Sequence, residues 1–373
     1  MPLRKKFDVL VVGGGPAGTA AALALARRGF LAAVIERSEY ENTRVGETLP
    51  PAIRKLLVTL GVWGQFVAQD HSPSFGVFSA WGSNDLSAND FIFNPYGTGW
   101  HVDRNRFDRM LSLAAEEAGV EVLRGATLAS PTEPRSRQWA LTIVGGHNLR
   151  ADFLVDATGR TSSLARKQGA RRISYDRLIG LVGFLSPKTS KRDDDSFTLV
   201  ESQSEGWWYS AALPDRRLVA AYMTDSDLCA PNHARPRFWR SQLRKAQHTG
   251  SRAKDYSLSS SLATFAANSS RLDRMIGPNW LAVGDAAAAY DPLSSRGVHN
   301  ALGSGIGAAQ AIEDHLAGHK KSLQDYAAVI ADSFDDYLLL RDRYYERERR
   351  WPDSNFWQRR QSVLKLAAYP SAE

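Results

Sequence analysis

Cysteine is almost absent from this chain of 373 residues, where Cys229 stands alone. A single cysteine closes no intramolecular disulfide and builds no cysteine-ligated metal cluster, and no metal is expected. Nothing beside Cys229 activates a thiolate, so it reads as inert packing. Long apolar runs are also missing. No span approaches the ~18 residues of a membrane helix. The apolar run after Met1–Lys6 is too short for a leader and breaks into glycines that a fold requires. The chain therefore reads as soluble and cytoplasmic, with no membrane partner. Internal repeats and low-complexity tracts do not occur. No zinc-finger, basic-zipper or RNP pattern accompanies the net charge of +7, so nucleic acid is not an expected partner. The surplus cations suit an anionic cofactor, an acidic protein partner or a solvated surface.

What is present is a globular composition, 43% hydrophobic and 23% charged, in a chain long enough for more than one domain. It opens on an apolar, β-branched run, Lys6–Val12. The turn Gly13-Gly14-Gly15-Pro16-Ala17-Gly18 follows, then a helical pattern from Thr19 to Arg28, a second strand at Ala32–Ile35, and Glu36. In this order the motif is a dinucleotide fingerprint. The first glycine permits the tight turn, the second admits a pyrophosphate to the backbone, and the third lets helix and strand pack closely. The helix N-terminus offers N–H groups to phosphate. Glu36 stands where a carboxylate accepts from ribose hydroxyls.

Helical patterns return at Ala52–Leu60, Arg106–Ala118, Pro236–Lys245 and from Gly297 onward. Ser322-Leu323-Gln324-Asp325 reads as a capping box before a long helix to about Glu348. Strands are expected at Val120–Arg124, Leu141–Val144, Phe153–Ala157 and Trp280–Val283. Leu178–Leu185, Ser196–Glu201, Gly206–Leu213 and Leu218–Tyr222 suggest an inserted antiparallel sheet. The expected fold is α/β: a Rossmann-type dinucleotide-binding domain with an inserted antiparallel β-sheet substrate domain and a helical C-terminal segment. The nucleotide domain would be discontinuous, residues 1–70, 101–177 and 265–320. The β-rich domain would take 71–100 and 178–264, and the C-terminal segment 321–373.

A second element separates FAD from NAD. Trp280–Val283 ends on Gly284-Asp285, which places a carboxylate beside a close backbone approach, suited to the ribitol hydroxyls of FAD. Asp291-Pro292-Leu293-Ser294-Ser295-Arg296-Gly297 then opens a helix whose amides can stabilise negative charge on a reduced flavin. Gly303-Ser304-Gly305-Ile306-Gly307 follows no strand and reads as close helix packing instead of a second dinucleotide loop. Without a dedicated NAD(P)H domain, NAD(P)H or another external reductant would act transiently.

The GGGPAG turn with Glu36, the DATGR segment at 156–160 and LAVGDAAAAYDPLSSRG at 281–297 resemble FAD-dependent monooxygenases of the para-hydroxybenzoate hydroxylase type, whose fold the flavin-dependent tryptophan halogenases share. The resemblance implies that the Rossmann-type domain is a glutathione reductase-like FAD-binding domain of the para-hydroxybenzoate hydroxylase type. A narrower resemblance rests on GETLPP at 46–51, DPLSSRG at 291–297, and the C-terminal YERERRWP and FWQRR runs. It is to the flavoproteins that mature cysteine tryptophylquinone enzymes (LodB-like, GoxB-like and QhpG-like). The C-terminal runs also read simply as packed aromatics and solvated arginines. The resemblance implies FAD contacts from Gly13, Gly15, Pro16, Ala17, Gly18, Glu36, Arg37 and Arg44. It adds Gly46, Glu47 and Thr48, then Arg104 facing the phosphates with Arg106 as second choice. Asp156, Gly159, Gly284, Asp285, Pro292, Gly297 and Val298 complete the set. Two departures stand out. The stretch Ser74–Ser79 lacks the halogenases' catalytic lysine, and their W-x-W-x-I-P pattern is replaced by Gly206-Trp207-Trp208-Tyr209-Ser210-Ala211-Ala212-Leu213-Pro214.

The implied activity is hydroxylation of a peptidyl tryptophan in a precursor protein, an oxidase or dehydrogenase subunit, by molecular oxygen activated on reduced FAD. Indole is already electron-rich, in keeping with the lack of a Ser-His-Asp or metal constellation. The alternatives are a flavin-dependent halogenase or small-molecule aromatic hydroxylase, and a non-catalytic FAD-binding maturation chaperone. His299 and His101 are the candidates for proton transfer, with His71 a third. Trp81, Trp100, Trp208 and Tyr209 are candidates for an aromatic substrate site, although a sheet core would use the same residues.

Overall fold

The computed structural model describes residues 6–135, 138–146, 148–188 and 196–361. The extreme ends of the domain ranges expected above, 1–5 and 362–373, lie outside them. β1 (Lys6–Val12) leads into α1 (Pro16–Ala26) and β2 (Ala32–Ile35). Both strands are buried almost throughout, as in a parallel sheet with both faces covered. The helix starts at Pro16, three residues before the Thr19 read from the sequence. Proline fits there because a first-turn N–H has no intrahelical partner to lose.

Next come β3 (Thr48–Leu49), β4 (Ser72–Ser74), the hairpin of β5 (Gly76–Ala80) with β6 (Ser87–Asp90), and β7 (Gly99–His101). β7 pairs with β3 on one side and β4 on the other. α2 (Arg104–Glu117) is capped by Asp103, which accepts from the Arg106 N–H. The chain continues through β8 (Glu121–Leu123), β9 (Leu128–Arg135), β10 (Gln138–Ile143) and β11 (Asn148–Asp156). β12 (Leu178–Pro187), β13 (Phe197–Gln203), β14 (Gly206–Ala212), β15 (Leu218–Asp225), β16 (Tyr256–Leu258) and β17 (Ala263–Ala266) form most of a second sheet. β18 (Ile276–Gly277) and β19 (Trp280–Ala282) return to the first. Three helices close the fold: α3 (Gly297–Leu316), α4 (Ser322–Tyr345) and α5 (Asn355–Gln361).

The first sheet runs β18-β19-β11-β1-β2-β8, parallel from β19 to β8, and β9 and β10 extend it antiparallel from β11. The second runs β16-β12-β15-β14-β13-β5-β6, with β17 also on β12. It departs from the all-antiparallel expectation at one place, where β13 pairs parallel with β5. β5 arrives from far earlier in the chain, so no hairpin constrains its direction.

The capping box does not form. The N-cap is Lys321, Ser322 lies inside the first turn, and its hydroxyl donates back to the His319 carbonyl. The helix also ends at Tyr345 instead of Glu348. Beyond it, α5 packs on the second sheet. Trp357 is fully buried and its indole N–H donates to the Gln203 carbonyl at 2.8 Å. Arg360 is buried against Asp225 at 2.7 Å. The aromatic, basic end is thus core at Phe356, Trp357 and Arg360, not wholly a solvated face. Among the described residues no helix is long and apolar enough to cross a membrane. Trp357→Ala removes a large buried side chain and orphans the Gln203 carbonyl, so a stability loss of about 3–5 kcal/mol is expected. Chemical denaturation checks it; a loss under about 1 kcal/mol would detach α5 from the core.

Candidate functional site

Small residues let α1 and α3 touch. A Cβ on Gly305 would stand 2.5 Å from the Ala17 carbonyl oxygen, and one on Gly284 would stand 2.6 Å from the Ala17 Cβ. The Gly303–Gly307 run therefore serves helix packing in mid-α3. This approach brings both helix N-termini to one cavity of about 310 Å³. One wall is built by Gly15, Pro16, Ala17, Gly46, Glu47, Thr48, Arg104, Gly159, Asp285, Pro292, Gly297 and Val298. The facing wall is the second sheet, through Gly180, Val182, Tyr209, Val219, Ala221, Met223 and Phe265.

The first wall suits FAD. No side chain caps α1 at Gly15 or α3 at Arg296, and a Cβ on Gly15, Gly159 or Gly297 would meet nothing within 4 Å. Two helix ends thus face the cavity with unspent N–H donors, one suited to phosphate and one to a negatively charged ring edge. Gly13 adopts φ +111°, and a Cβ on Gly18 would stand 1.9 Å from the Gly13 carbonyl oxygen.

The charged groups around this wall are held by one another. Arg104 grips Asp108 with two bonds of 3.1 Å and donates to the Val45 carbonyl. Arg44 joins Asp108 at 2.7 Å to Glu36 at 3.3 Å. Asp285 pairs with Arg160 at 3.4 Å, and Arg160 also donates to the Tyr290 carbonyl. Glu47 is buried. Its Oε2 accepts from the Gly46 N–H at 3.0 Å, while Oε1 has no partner. Burial pushes its carboxyl above the ordinary range. Burial likewise pushes Asp291 up to about 6, although the Leu293 N–H and the Tyr345 hydroxyl both donate to it.

Several expected residues do not line this cavity. Glu36 sits at the glycine turn, where its carboxylate accepts from the Gly14 N–H at 2.7 Å, and from the N–H and hydroxyl of Ser38. Arg37 is exposed and, like Arg44, is not part of the cavity wall. Asp156 is spent within its own loop, accepting from Thr158 and from the Ala165 N–H. Arg106 points instead to the Gln69 carbonyl, outside the cavity. Gly284 and His299 line a smaller cavity of about 200 Å³ behind Asp285, so His299 is not on the main site. His101 is completely buried, outside the cavity lining, and lowered by burial to about 3, which removes it from direct proton transfer.

The four aromatic candidates do not meet. Trp208 and Tyr209 are consecutive in β14, and successive strand residues face opposite sides of a sheet. Tyr209 faces the cavity, while Trp208 packs with Trp239 and Tyr222 on the other face. Trp100 stacks edge-on with Trp63 and Phe66. Trp81 joins Trp207, Tyr345 and Trp357. Reading parity along β14 would have separated 208 from 209. The cavity residues on β15 carried no such signal, because every residue of Leu218–Asp225 is buried. Arg160 and Asp291, also missed, sit inside the quoted motifs.

His71 packs on Phe66 and Phe107, its ring nitrogens buried without a partner, and burial lowers it to about 4. A neutral buried imidazole contributes stability above its unfolded pKa of 6.5, and that contribution is lost as pH falls toward 4. His71→Phe should therefore reduce the stability difference between pH 7 and pH 5 by about 2 kcal/mol, measured by denaturation at both pH values. Gly18→Ala should fold with FAD affinity reduced at least about tenfold, read by flavin absorbance after dialysis; undiminished binding would remove the turn from the cofactor site.

Known proteins match nearly the whole chain. It is 29% identical over 373 residues to LodB of Marinomonas mediterranea, described as an FAD-dependent oxidoreductase, covering 97% of this chain and 99% of that one. The structure of the myxobacterial chondrochloren halogenase CndH, a variant of FAD-dependent halogenases, superposes with a TM-score of 0.87 at 22% identity, over 98% of this chain and 88% of the other. The peptidyl tryptophan dihydroxylase QhpG, essential for tryptophylquinone cofactor biogenesis, superposes at 0.81 with 24% identity, over 96% and 79%. The tryptophan halogenase family model matches residues 8–98 and 88–369. With its uncapped helix ends meeting at one cavity and its family pattern running almost from end to end, the chain is an FAD-dependent enzyme that belongs to the tryptophan halogenase family.

Proposed function

We propose that this enzyme hydroxylates a tryptophan side chain within a precursor polypeptide during the biogenesis of a tryptophylquinone cofactor. One observation carries the reading. The sheet wall of the cavity has no charged side chain, and no lysine occurs among the described residues lining either wall. Glu47, Arg104, Arg160, Asp285 and Asp291 all belong to the cofactor side, where each has a partner of its own. A free amino acid would bring an ammonium and a carboxylate with nothing on the sheet wall to pair them, a cost of several kcal/mol per charge. A tryptophan within a polypeptide brings only a neutral indole. The missing lysine disfavours capture of hypohalous acid. LodB and QhpG supply the biological setting by similarity.

Reduced FAD, when bound, supplies the activation of molecular oxygen. The protein's own residues do the rest. Gly15–Ala17 and Gly297–Val298 would offer amides to the anionic parts of the cofactor. Arg160 and Asp285, which pair with each other, would hold ribitol hydroxyls. Val182, Val219, Ala221, Met223 and Phe265 exclude water and press the indole toward the cofactor wall. Glu47, raised by burial and with Oε1 unpartnered, holds or moves a proton there. The reductant is NAD(P)H or an external donor acting transiently.

Membership of a halogenase family favours a second reading, in which a free aromatic is halogenated or hydroxylated. Reduced holoenzyme is incubated under oxygen, with halide present, with an unmodified precursor polypeptide of a tryptophylquinone enzyme and, separately, with free tryptophan. Masses are then measured. Addition of oxygen to the precursor alone is the expected result. Oxygen or halogen on free tryptophan supports the second reading, and tight precursor binding with no mass change would make the protein a chaperone.

A further inference from the structure

The second sheet turns one sulfur toward the cofactor wall. Three methionines lie among the described residues: Met110, Met223 and Met275. All three are buried, yet of these Met223 alone lines the cavity. Met110 and Met275 are packed into the cores on the two faces of the first sheet. The thiol of Cys229 is not part of the lining either. The fold leaves the Met223 sulfur uncovered on this side. Along β15, Val219, Ala221 and Met223 share the cavity face, as strand alternation requires. The register partners of Met223 are Gly180 in β12 and Trp207 in β14. Gly180 has no side chain to lay over its neighbour, and a Cβ built there would stand 3.0 Å from Met223 Sδ. The thioether therefore lies across Gly180, which itself lines the cavity.

On the sheet wall the neighbours of this sulfur are glycine, aliphatic groups, the Phe265 ring and the Tyr209 phenol. None of them takes up an oxygen atom as readily as a thioether, whose product is the sulfoxide. In the balanced step an S–O bond forms at Sδ with one atom of molecular oxygen, and the O–O bond breaks. The other atom leaves as water with two protons. Two electrons come from the sulfur and two from the external reductant, NAD(P)H or another donor. The methionine loses no proton and needs no base.

We propose that Met223 is a self-oxygenation site: when no substrate fills the cavity, the oxygen activated at the cofactor wall is delivered to Met223 Sδ, and the sulfoxide spoils the substrate side. This rests on the oxygen-activating part of the proposed function and adds a regulation of the same site. A bound aromatic side chain stands between the sulfur and the cofactor wall and takes the oxygen in its place. Without one, the sulfoxide sets a strong acceptor on a wall that has no charged side chain, and an apolar ring arriving later must desolvate it. Enzyme that turns over without a partner thus withdraws itself from use.

The test takes FAD-loaded enzyme, without substrate, through repeated cycles of anaerobic reduction and exposure to isotopically heavy oxygen, with catalase present to remove free peroxide. The protein is then digested and its peptides are weighed. Heavy oxygen is expected on Met223 at a level at least about tenfold above Met110 and Met275. Indole present throughout is expected to lower the Met223 label at least about threefold. Calorimetry is expected to show that the labelled enzyme binds indole at least about fivefold more weakly than before the cycles. Met223→Leu, which nearly conserves volume, is expected to bind indole within about twofold of the wild type and to keep that affinity through the same cycles. An unlabelled Met223, label spread equally over the three methionines, or equal label with the reductant omitted would overturn the proposal. Labelled enzyme that binds indole as before would overturn the regulatory part. The hydroxylation reading fails separately. A labelled Met223 beside a precursor that gains no oxygen removes that reading and leaves the proposal, and an oxygenated precursor beside an unlabelled Met223 does the reverse.

Discussion

The contact between α1 and α3 is the constraint on which the rest of the site depends. Gly284, Gly305 and the alanines of α1 allow two backbones to approach within reach of each other's carbonyl oxygens. Any side chain at Gly284 or Gly305, or one larger than alanine at Ala17, would press the two helices apart and separate their N-termini. The dinucleotide turn would then still exist, and so would the loop before α3, but they would no longer address one ligand. The chemistry of the site is therefore set by the absence of side-chain volume about as much as by any functional group.

Facing that rigid cofactor wall is a sheet that contributes shape and little charge. Its alternation puts Trp208 and Tyr222 into one core and Tyr209 and Ala221 into another space, with Gly180, Val182 and Ala221 leaving room where larger residues would fill it. This division lets the substrate side vary in shape without disturbing cofactor binding, in keeping with family members that carry different names over one fold.

Much of the cofactor half was legible in the sequence, because glycine turns, a strand ending in Gly-Asp and helix starts are local devices with local signatures. The positions of Gly15, Gly46, Asp285 and Gly297 around one cavity follow from such segments. The substrate half was less legible. β15 is buried on both faces, so hydrophobicity does not say which of its residues meet a ligand. Aromatic residues misled for a related reason: Trp100 and Trp208 fill cores as readily as they would bind an aromatic. His101 looked like a candidate acid–base group until its burial was known, since a sequence states the residue type and not the solvent around it. The capping-box reading failed because Ser322 sits one position inside the helix, where its hydroxyl turns back to His319.

The loop that precedes α3 is fastened from the far end of the chain. Tyr337 accepts from the Asp291 N–H, Tyr345 donates to the Asp291 carboxylate, and Tyr345 is itself packed under Trp357. The loop at the cavity is thus held in place by side chains 46 and 54 residues away along the chain, on a helix that is not part of the cavity wall. The position of a flavin-side carboxylate is in this way tied to the packing of aromatic residues at the far end of that helix.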